Sequence, residues 1–466
     1  MRPMLRGCSL LLATLVGACS DPHAARGARL EAPILVFGID GLEWDVLLPL
    51  AREGKLPNIT ALAARGRAGV LKPLRPTLSP RLWNTIATGK LPHEHGIEGF
   101  TRKGAGGIEL QYTSLDRKVK AFWNILTDHG VSCDVIGWWN TFPAERVHGL
   151  MVAQTNTPGK SRGIEKGRLL EGVAEQVWPR HEEARVLAAR AASERGIEEL
   201  EAEVFGDFFL ELDGAKRRRW EQCDWAFRAD HTYVTVLQER VARRAPSQVT
   251  AIYLGGTDVV GHRFWAAYRP ADFGLDPAGE EACTFGHVVD AYHVYVDAVI
   301  GRILARFPPE TTVLVVADHG MAGMPELLAA GIDEEDAESF TGGHMREEPG
   351  VFLAAGTGIR AEPLDLAAAA RADFRELGAL QDFCPTLLAL ASVPYGADMF
   401  GRPLEDVLDP AFLARHPIEH VETHDDAAWR ASREVRLDLA EDPERQRQLI
   451  ELGYAGDDYG EDPKDG

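Results

Sequence analysis

The clearest pattern along the chain is a series of short, almost wholly apolar runs, each bounded by turn-forming residues. Pro33 to Ile39 is the first, and its end in Asp40-Gly41 predicts a buried strand closing in a turn. Similar runs at Ala251 to Leu254, Thr311 to Val316 and around Val351 to Ala354 predict further strands, with a helical stretch from Val288 to Ala305 among them. Strands alternating with helices imply an α/β protein with a mostly parallel sheet covered on both faces. The span from about Pro158 to Ala245 is charged and helix-favouring, above all in Leu187 to Glu203 and Gly214 to Arg244, and is expected to form a helical insertion or cap. Ala427 to Tyr454 is a second charged helical pattern, expected outside the sheet. There is no internal repeat.

The first residues read differently. Arg2 and Arg6 precede an apolar run from Cys8 to Val16 that is too short to span a bilayer, the pattern of a secretory signal. Val16-Gly17-Ala18-Cys19 resembles the lipobox of bacterial lipoproteins, which implies cleavage before Cys19 and a lipid on that residue. Ser20 then leans towards the outer membrane, facing the periplasm, so the expected location is the bacterial cell envelope. The resulting division is a signal over 1–18, a linker over 19–32, one catalytic domain over 33–410 that contains the 158–245 insertion, and a helical, acidic tail over 411–466.

Composition narrows the partners. Of 466 residues, 50 are Lys or Arg and 71 are Asp or Glu, and the net charge of -21 works against extended contact with a nucleic acid backbone. A small anionic substrate is compatible with that charge, because a bound metal dominates the field in its own pocket. Asp457 to Gly466 is acidic without an apolar pattern and reads as a solvated tail. Cys133, Cys223, Cys283 and Cys384 contain no CxxC pair, which argues against a thiolate zinc site. Disulfides are permitted in an oxidising envelope, while core packing is the default for Cys133 and Cys384.

Ligands in open α/β sheets bind where strand ends converge, and several predicted strand ends here carry Asp or His. Asp40 closes the first strand, Asp258 and His262 follow Leu254, Asp318-His319 follow Val316, and His344 stands in Gly342-Gly343-His344 before the next strand. Each has an ordinary reading: Asp40-Gly41 as a turn, Asp318-His319 as a cap or surface pair, Asp258 and His262 as neighbours on one helical turn. Together, three Asp and three His are what two zinc ions would need. Ser79-Pro80, followed by Leu82, Trp83 and Ile86, reads as a helix start, where a hydroxyl also faces unpaired amides able to receive a phosphate.

At this point the motifs become specific. Gly38-Ile39-Asp40-Gly41, Ser79-Pro80 with Trp83, Thr88-Gly89, Pro92, His95-Gly96-Ile97, Asp258 with Gly261-His262, Ala317-Asp318-His319-Gly320-Met321 and Gly343-His344 resemble the ordered motif set of the alkaline phosphatase superfamily. The type I phosphodiesterase and nucleotide pyrophosphatase branch is the most similar, over about residues 33 to 408, including Asp382-Phe383-Cys384-Pro385-Thr386 and Gly401-Arg402-Pro403. The resemblance implies a three-layer α/β/α sandwich and hydrolysis of small phosphate esters through a phosphoseryl intermediate on Ser79. By the same resemblance Asp258, His262 and His344 would hold one divalent ion and Asp40, Asp318 and His319 the other, both zinc, with Ser79 bridging towards the second. His95 is expected to be structural.

The likeness departs in one place: where diesterases of this branch carry a phosphate-contacting Asn after the His-Gly-Ile turn, this chain has Glu98-Gly99-Phe100-Thr101. The resemblance therefore does not extend to nucleotide pyrophosphatase activity, and the choice between mono- and diester is open. Trp138, Trp139 and Asn140, in a segment similar to one in bacterial lipoprotein-like relatives, are candidates to line the substrate pocket. A sulfatase reading fails on the spacing of Ser79-Pro80-Arg81, and cofactor-independent phosphoglycerate mutases, similar in their metal ligands, carry their Ser in a different motif. The alternative from another class is a lipid-anchored binding protein without turnover.

Overall fold

In the central strand, β1 (Ile34–Ile39), successive side chains leave on opposite faces: Leu35, Phe37 and Ile39 join one apolar cluster, Ile34 and Val36 the other. Both faces are covered, which is why the run is apolar throughout rather than alternating. This computed structural model describes residues 30–432 apart from 105, 106, 108, 155, 159–163, 167, 168, 170–172, 213, 327–339 and 347. The expected signal segment, the lipobox-like stretch with Cys19 and the residues from 433 onward lie outside the described residues.

Eight more strands complete the main sheet: β2 (Gly66–Lys72), β3 (Cys133–Ile136), β4 (Met151–Val152), β5 (Val177–Trp178), β6 (Val249–Leu254), β7 (Thr312–Val316), β8 (Gly350–Ala355) and β9 (Glu376–Ala379). Their order is β9-β2-β8-β7-β1-β6-β3-β4-β5. The five from β7 to β4 run parallel, β8 is antiparallel to both β7 and β2, and β5 is antiparallel to β4. The expected mostly parallel sheet is therefore present.

Helices cover both faces. On one side lie α1 (Trp44–Arg52), α4 (Glu183–Ser193), α5 (Ile197–Phe205), α6 (Gly214–Arg243), α7 (Gly256–Tyr268) and α8 (Val288–Leu304), whose apolar residues share a cluster with Leu35 and Phe37. On the other lie α2 (Ser79–Thr88), α3 (Phe122–Asp128) and α9 (Phe383–Leu390), packed with Ile34 and Val36. This is the three-layer α/β/α arrangement.

Two features differ from the sequence reading. The insertion is not wholly helical: it supplies edge strand β5, and its predicted 187–203 helix is divided into α4 and α5. Near its end Arg240 makes two buried 3.1 Å bonds to Asp134 of β3, so the insertion is tied to the sheet. The tail likewise docks before 433, through Asp425, which meets Lys90 Nζ at 2.9 Å beside Asp398 of the main domain at 2.6 Å. Cys133, Cys223 and Cys384 are buried and Cys283 exposed, all as free thiols.

Candidate active site

Beyond the carboxyl ends of β1, β6 and β7, short turns deliver the acidic residues to one edge of the sheet. β1 ends at Ile39, and Gly41 turns the chain at φ +66°, where a Cβ would lie 3.0 Å from the Asp258 Cα. Only glycine fits both the angle and the contact. Asp258 and His262 occupy adjacent turns of α7, with His262 Nε2 3.2 Å from Asp258 Oδ1. His319 Nε2 stands 3.3 Å from Asp40 Oδ1, 3.4 Å from Asp318 Oδ2 and 3.9 Å from Asp258 Oδ1. His344 Nε2 is also 3.9 Å from Asp258 Oδ1, and its ring stacks on His319 at 3.7 Å between centroids.

Two groups of potential metal ligands result: Asp258, His319 and His344, and Asp40, Asp318 and His319. His319 belongs to both, while His262 approaches from the flank of Asp258. Ser79, the first residue of α2, brings its Oγ to 3.4 Å from Asp40 Oδ1. The structure thus gathers Asp40, Ser79, Asp258, His262, Asp318, His319 and His344 around one centre.

Hydrogen bonds fix how each ring faces this centre. His262 Nδ1 meets the Gly342 carbonyl at 2.8 Å and His319 Nδ1 the Gly320 carbonyl at 2.9 Å; a carbonyl only accepts, so each Nδ1 carries the proton. Thr77 Oγ1 donates to the His344 carbonyl at 2.8 Å and so accepts from His344 Nδ1 at 2.9 Å. All three imidazoles therefore turn Nε2 towards the carboxylates, the nitrogen a metal would take. Asp40 is oriented in the same manner: its Oδ2 receives the Tyr253 hydroxyl at 2.6 Å and the Trp83 indole N–H at 3.0 Å, leaving Oδ1 to face Ser79 and His319.

The donor set fits divalent cations. Asp258 Oδ1, Asp318 Oδ2 and His319 Nε2 are buried and lack a hydrogen-bond partner among the described residues. An unpaired buried polar atom is destabilising by about 1–3 kcal/mol, and more when charged. Burial, then the facing carboxylates of Asp40 and Asp258, push the Asp318 carboxyl well above its ordinary range. Burial acts the same way on Asp258, but the imidazoles of His262, His319 and His344 outweigh it and hold that carboxyl low. Three carboxylates this close repel one another unless positive charge lies between them. Mixed carboxylate and imidazole ligation suits zinc.

Outer contacts hold the ligands in place. Asp230 of α6 accepts from the Gly255 and Gly256 amides at 2.9 and 3.0 Å, and from the Tyr292 hydroxyl at 2.8 Å, capping α7 from outside its own segment. Burial pushes the Asp230 carboxyl up to about 7 despite those donors. Sequence reading did not single out Asp230, Tyr253 or Thr77. Tyr253 and Thr77 had weak local signals, a hydroxyl inside an apolar run and a Thr two residues before Ser79; Asp230, one of several acidic residues in a charged helix, had none.

The remaining candidates are placed as follows. Trp138 and Trp139 are 0% and 2% exposed, so they pack in the interior instead of lining an open pocket. Trp138 meets Trp83 edge to face, with ring centroids 5.1 Å apart, and its indole N–H bonds the Trp83 carbonyl. Asn140 holds a turn by bonding Asn84 (2.7 Å) and the Tyr112 carbonyl (2.8 Å). His95 is buried and accepts from the Ile97 amide at Nδ1, so Nε2–H donates to Thr85 Oγ1 at 3.1 Å. Burial lowers its pKa to about 3, and a neutral ring with both nitrogens engaged is structural.

Fold and site together define the class, a three-layer α/β/α protein with candidate ligands for metal at the carboxyl edge of its sheet. The family described as type I phosphodiesterase / nucleotide pyrophosphatase matches residues 34–371. This chain belongs to that family, whose members hydrolyse phosphate esters. Among solved structures, murine ectonucleotide pyrophosphatase / phosphodiesterase 5 is similar at 13% identity and a TM-score of 0.45, covering 81% of this chain and 100% of that one. The human protein gives 12%, 0.45, 81% and 100%. A 2-O GAG sulfatase gives 14% and 0.43, over 84% of this chain and 76% of its own.

Proposed function

We propose that this protein hydrolyses small phosphate esters with Ser79 as the nucleophile and two zinc ions held by the Asp and His cluster. The observation that carries the reading is the convergence of two ligand groups, sharing His319, beside Ser79 Oγ. Asp40, Asp318 and His319 would hold one ion and Asp258 and His344 the other, with His262 completing the second set. Bound divalent ions supply positive charge that makes the serine hydroxyl more acidic and stabilises the oxygens entering and leaving phosphorus.

Asp40 Oδ1 accepts the hydrogen bond of Ser79 and so aims Oγ at the centre of the cluster. Ser79 sits at the start of α2, where free amides favour an arriving phosphate. Its oxygen attacks phosphorus in line with the departing alcohol, a phosphoseryl ester results, and water then cleaves that ester and regenerates the hydroxyl.

The test is hydrolysis of p-nitrophenyl phosphate and bis-p-nitrophenyl phosphate with added zinc, beside Ser79→Ala and after chelation. Turnover that needs metal and falls by about three orders of magnitude or more in Ser79→Ala is expected. The faster of the two esters separates monoesterase from diesterase. Full activity in Ser79→Ala would remove the serine from the mechanism, and silence on both esters without bound metal would favour a binding protein without turnover.

A further inference from the structure

We propose that Phe340 is a specificity-determining residue whose ring receives the departing alcohol of the substrate, so that esters of aromatic alcohols are preferred; this deepens the hydrolase reading above and rests on it. The direction of departure follows from Ser79, whose Oγ lies 3.4 Å from Asp40 Oδ1. In an in-line displacement the attacking and departing oxygens stand on opposite sides of phosphorus. The alcohol therefore leaves on the side away from Asp40, where Asp258 and His344 lie with His262 beside them. Exposure agrees with that direction. The side chains of Asp40, Asp318 and His319 are 0% exposed, whereas that of His344 is 14% and that of His262 22%. The cluster thus opens towards solvent at His262 and His344.

Phe340 stands at this opening. Its ring meets the His262 ring edge to face, with centroids 5.3 Å apart, and the Arg263 guanidinium lies 5.2 Å from its centroid. These two contacts hold the ring, yet the residue is 44% exposed. Met345, which directly follows His344, is also exposed, so the two belong to the four large apolar side chains exposed among the described residues. Single exposed apolar residues are ordinary on a protein surface, but two next to the two exposed candidate ligands are not scattered. A ring already held in place offers an incoming ring a surface to pack on with little further loss of freedom, and aromatic pairs favour edge-to-face or offset contact. A polyol would lose water against Phe340 without gaining a hydrogen-bond partner from it.

Benzyl and methyl phosphate, with the diesters dibenzyl and dimethyl phosphate, release alcohols of similar acidity, so a difference between them reports binding of the departing group. Steady-state kinetics of the zinc-loaded protein would compare them for wild type, Phe340→Ala and Phe340→Leu, with the p-nitrophenyl esters establishing turnover. The expected kcat/KM is about tenfold higher for the benzyl ester in wild type, near parity in Phe340→Ala and intermediate in Phe340→Leu. A ratio of two esters cancels any general loss caused by disturbing His262. Calorimetry with benzylphosphonate and methylphosphonate, whose carbon–phosphorus bond resists hydrolysis, should show the same order of Kd without turnover. Nitrophenyl turnover with benzyl and methyl esters cleaved alike, or with neither cleaved, would overturn the inference and leave the hydrolase reading intact. A benzyl preference kept in Phe340→Ala would do the same. If no ester is hydrolysed, the hydrolase reading fails and takes the inference with it.

Discussion

At the scale of single residues, the site depends on groups that stand behind the candidate ligands. Tyr253 is the clearest: burial, and then the Asp40 charge, push its phenol well above the ordinary value, so it stays protonated and donates. Removing that donor strands a lone pair on a fully buried carboxylate and frees Asp40 to rotate. Tyr253→Phe should weaken binding of a divalent ion at the proposed Asp40 position about 10- to 100-fold, the usual effect of losing an outer-shell partner, with the fold intact. Titration calorimetry of the metal-free protein checks this, and two unchanged affinities would show that Trp83 alone orients Asp40.

At the scale of elements, α7 carries two candidate ligands but has no side-chain cap of its own. Its first amides bond Asp230 from the insertion, and Gly256 is required there because a Cβ would fall 1.7 Å from the Tyr292 hydroxyl. Asp230→Ala should therefore lower stability by about 2 kcal/mol or more, since it leaves several buried donors unpaired. It should also loosen metal binding at Asp258 and His262; a variant that melts with wild type would show that water replaces the carboxylate.

The insertion also carries a pH dependence. Burial, against the pull of Arg228 at 3.0 Å, raises the Glu201 carboxyl of α5 from 4.5 to about 7. Because the folded value is the higher one, the folded state keeps a proton that the unfolded chain has lost. Its contribution is complete below about pH 4.5 and is lost as pH rises through about 7. Thermal melts from pH 5 to 8 should show Glu201→Gln, which cannot ionise, gaining on wild type as pH rises. Parallel curves would remove Glu201 from the account.

At the scale of the whole molecule, three acidic side chains at the ends of three neighbouring strands make the sheet edge a store of repulsion. Bound ions stabilise the folded state by mass action as well as by neutralising that charge. Chelation should lower the melting temperature by several degrees at pH 8. Asp318→Asn, which removes one of the crowded charges, should lose less on chelation than wild type does; equal losses would mean that the ions act without relieving repulsion.

The apolar runs determined the central architecture because a strand covered on both faces has nowhere to place a polar side chain. That is why β1, β6, β7 and β8 were legible, as was the set of Asp and His residues at their ends. β2, with Arg67 and Lys72, and the two-residue strand β5 gave no such run, and only pairing in the sheet made them strands. The antiparallel setting of β8 and β5, the sharing of His319 between two ligand groups and the burial of Trp138 also waited on tertiary structure. So did Asp230, because a cap supplied from another segment is a relation between distant parts of the chain. Local pattern records which residues prefer to be buried; only the packed fold decides which polar atoms are buried with a partner and which without.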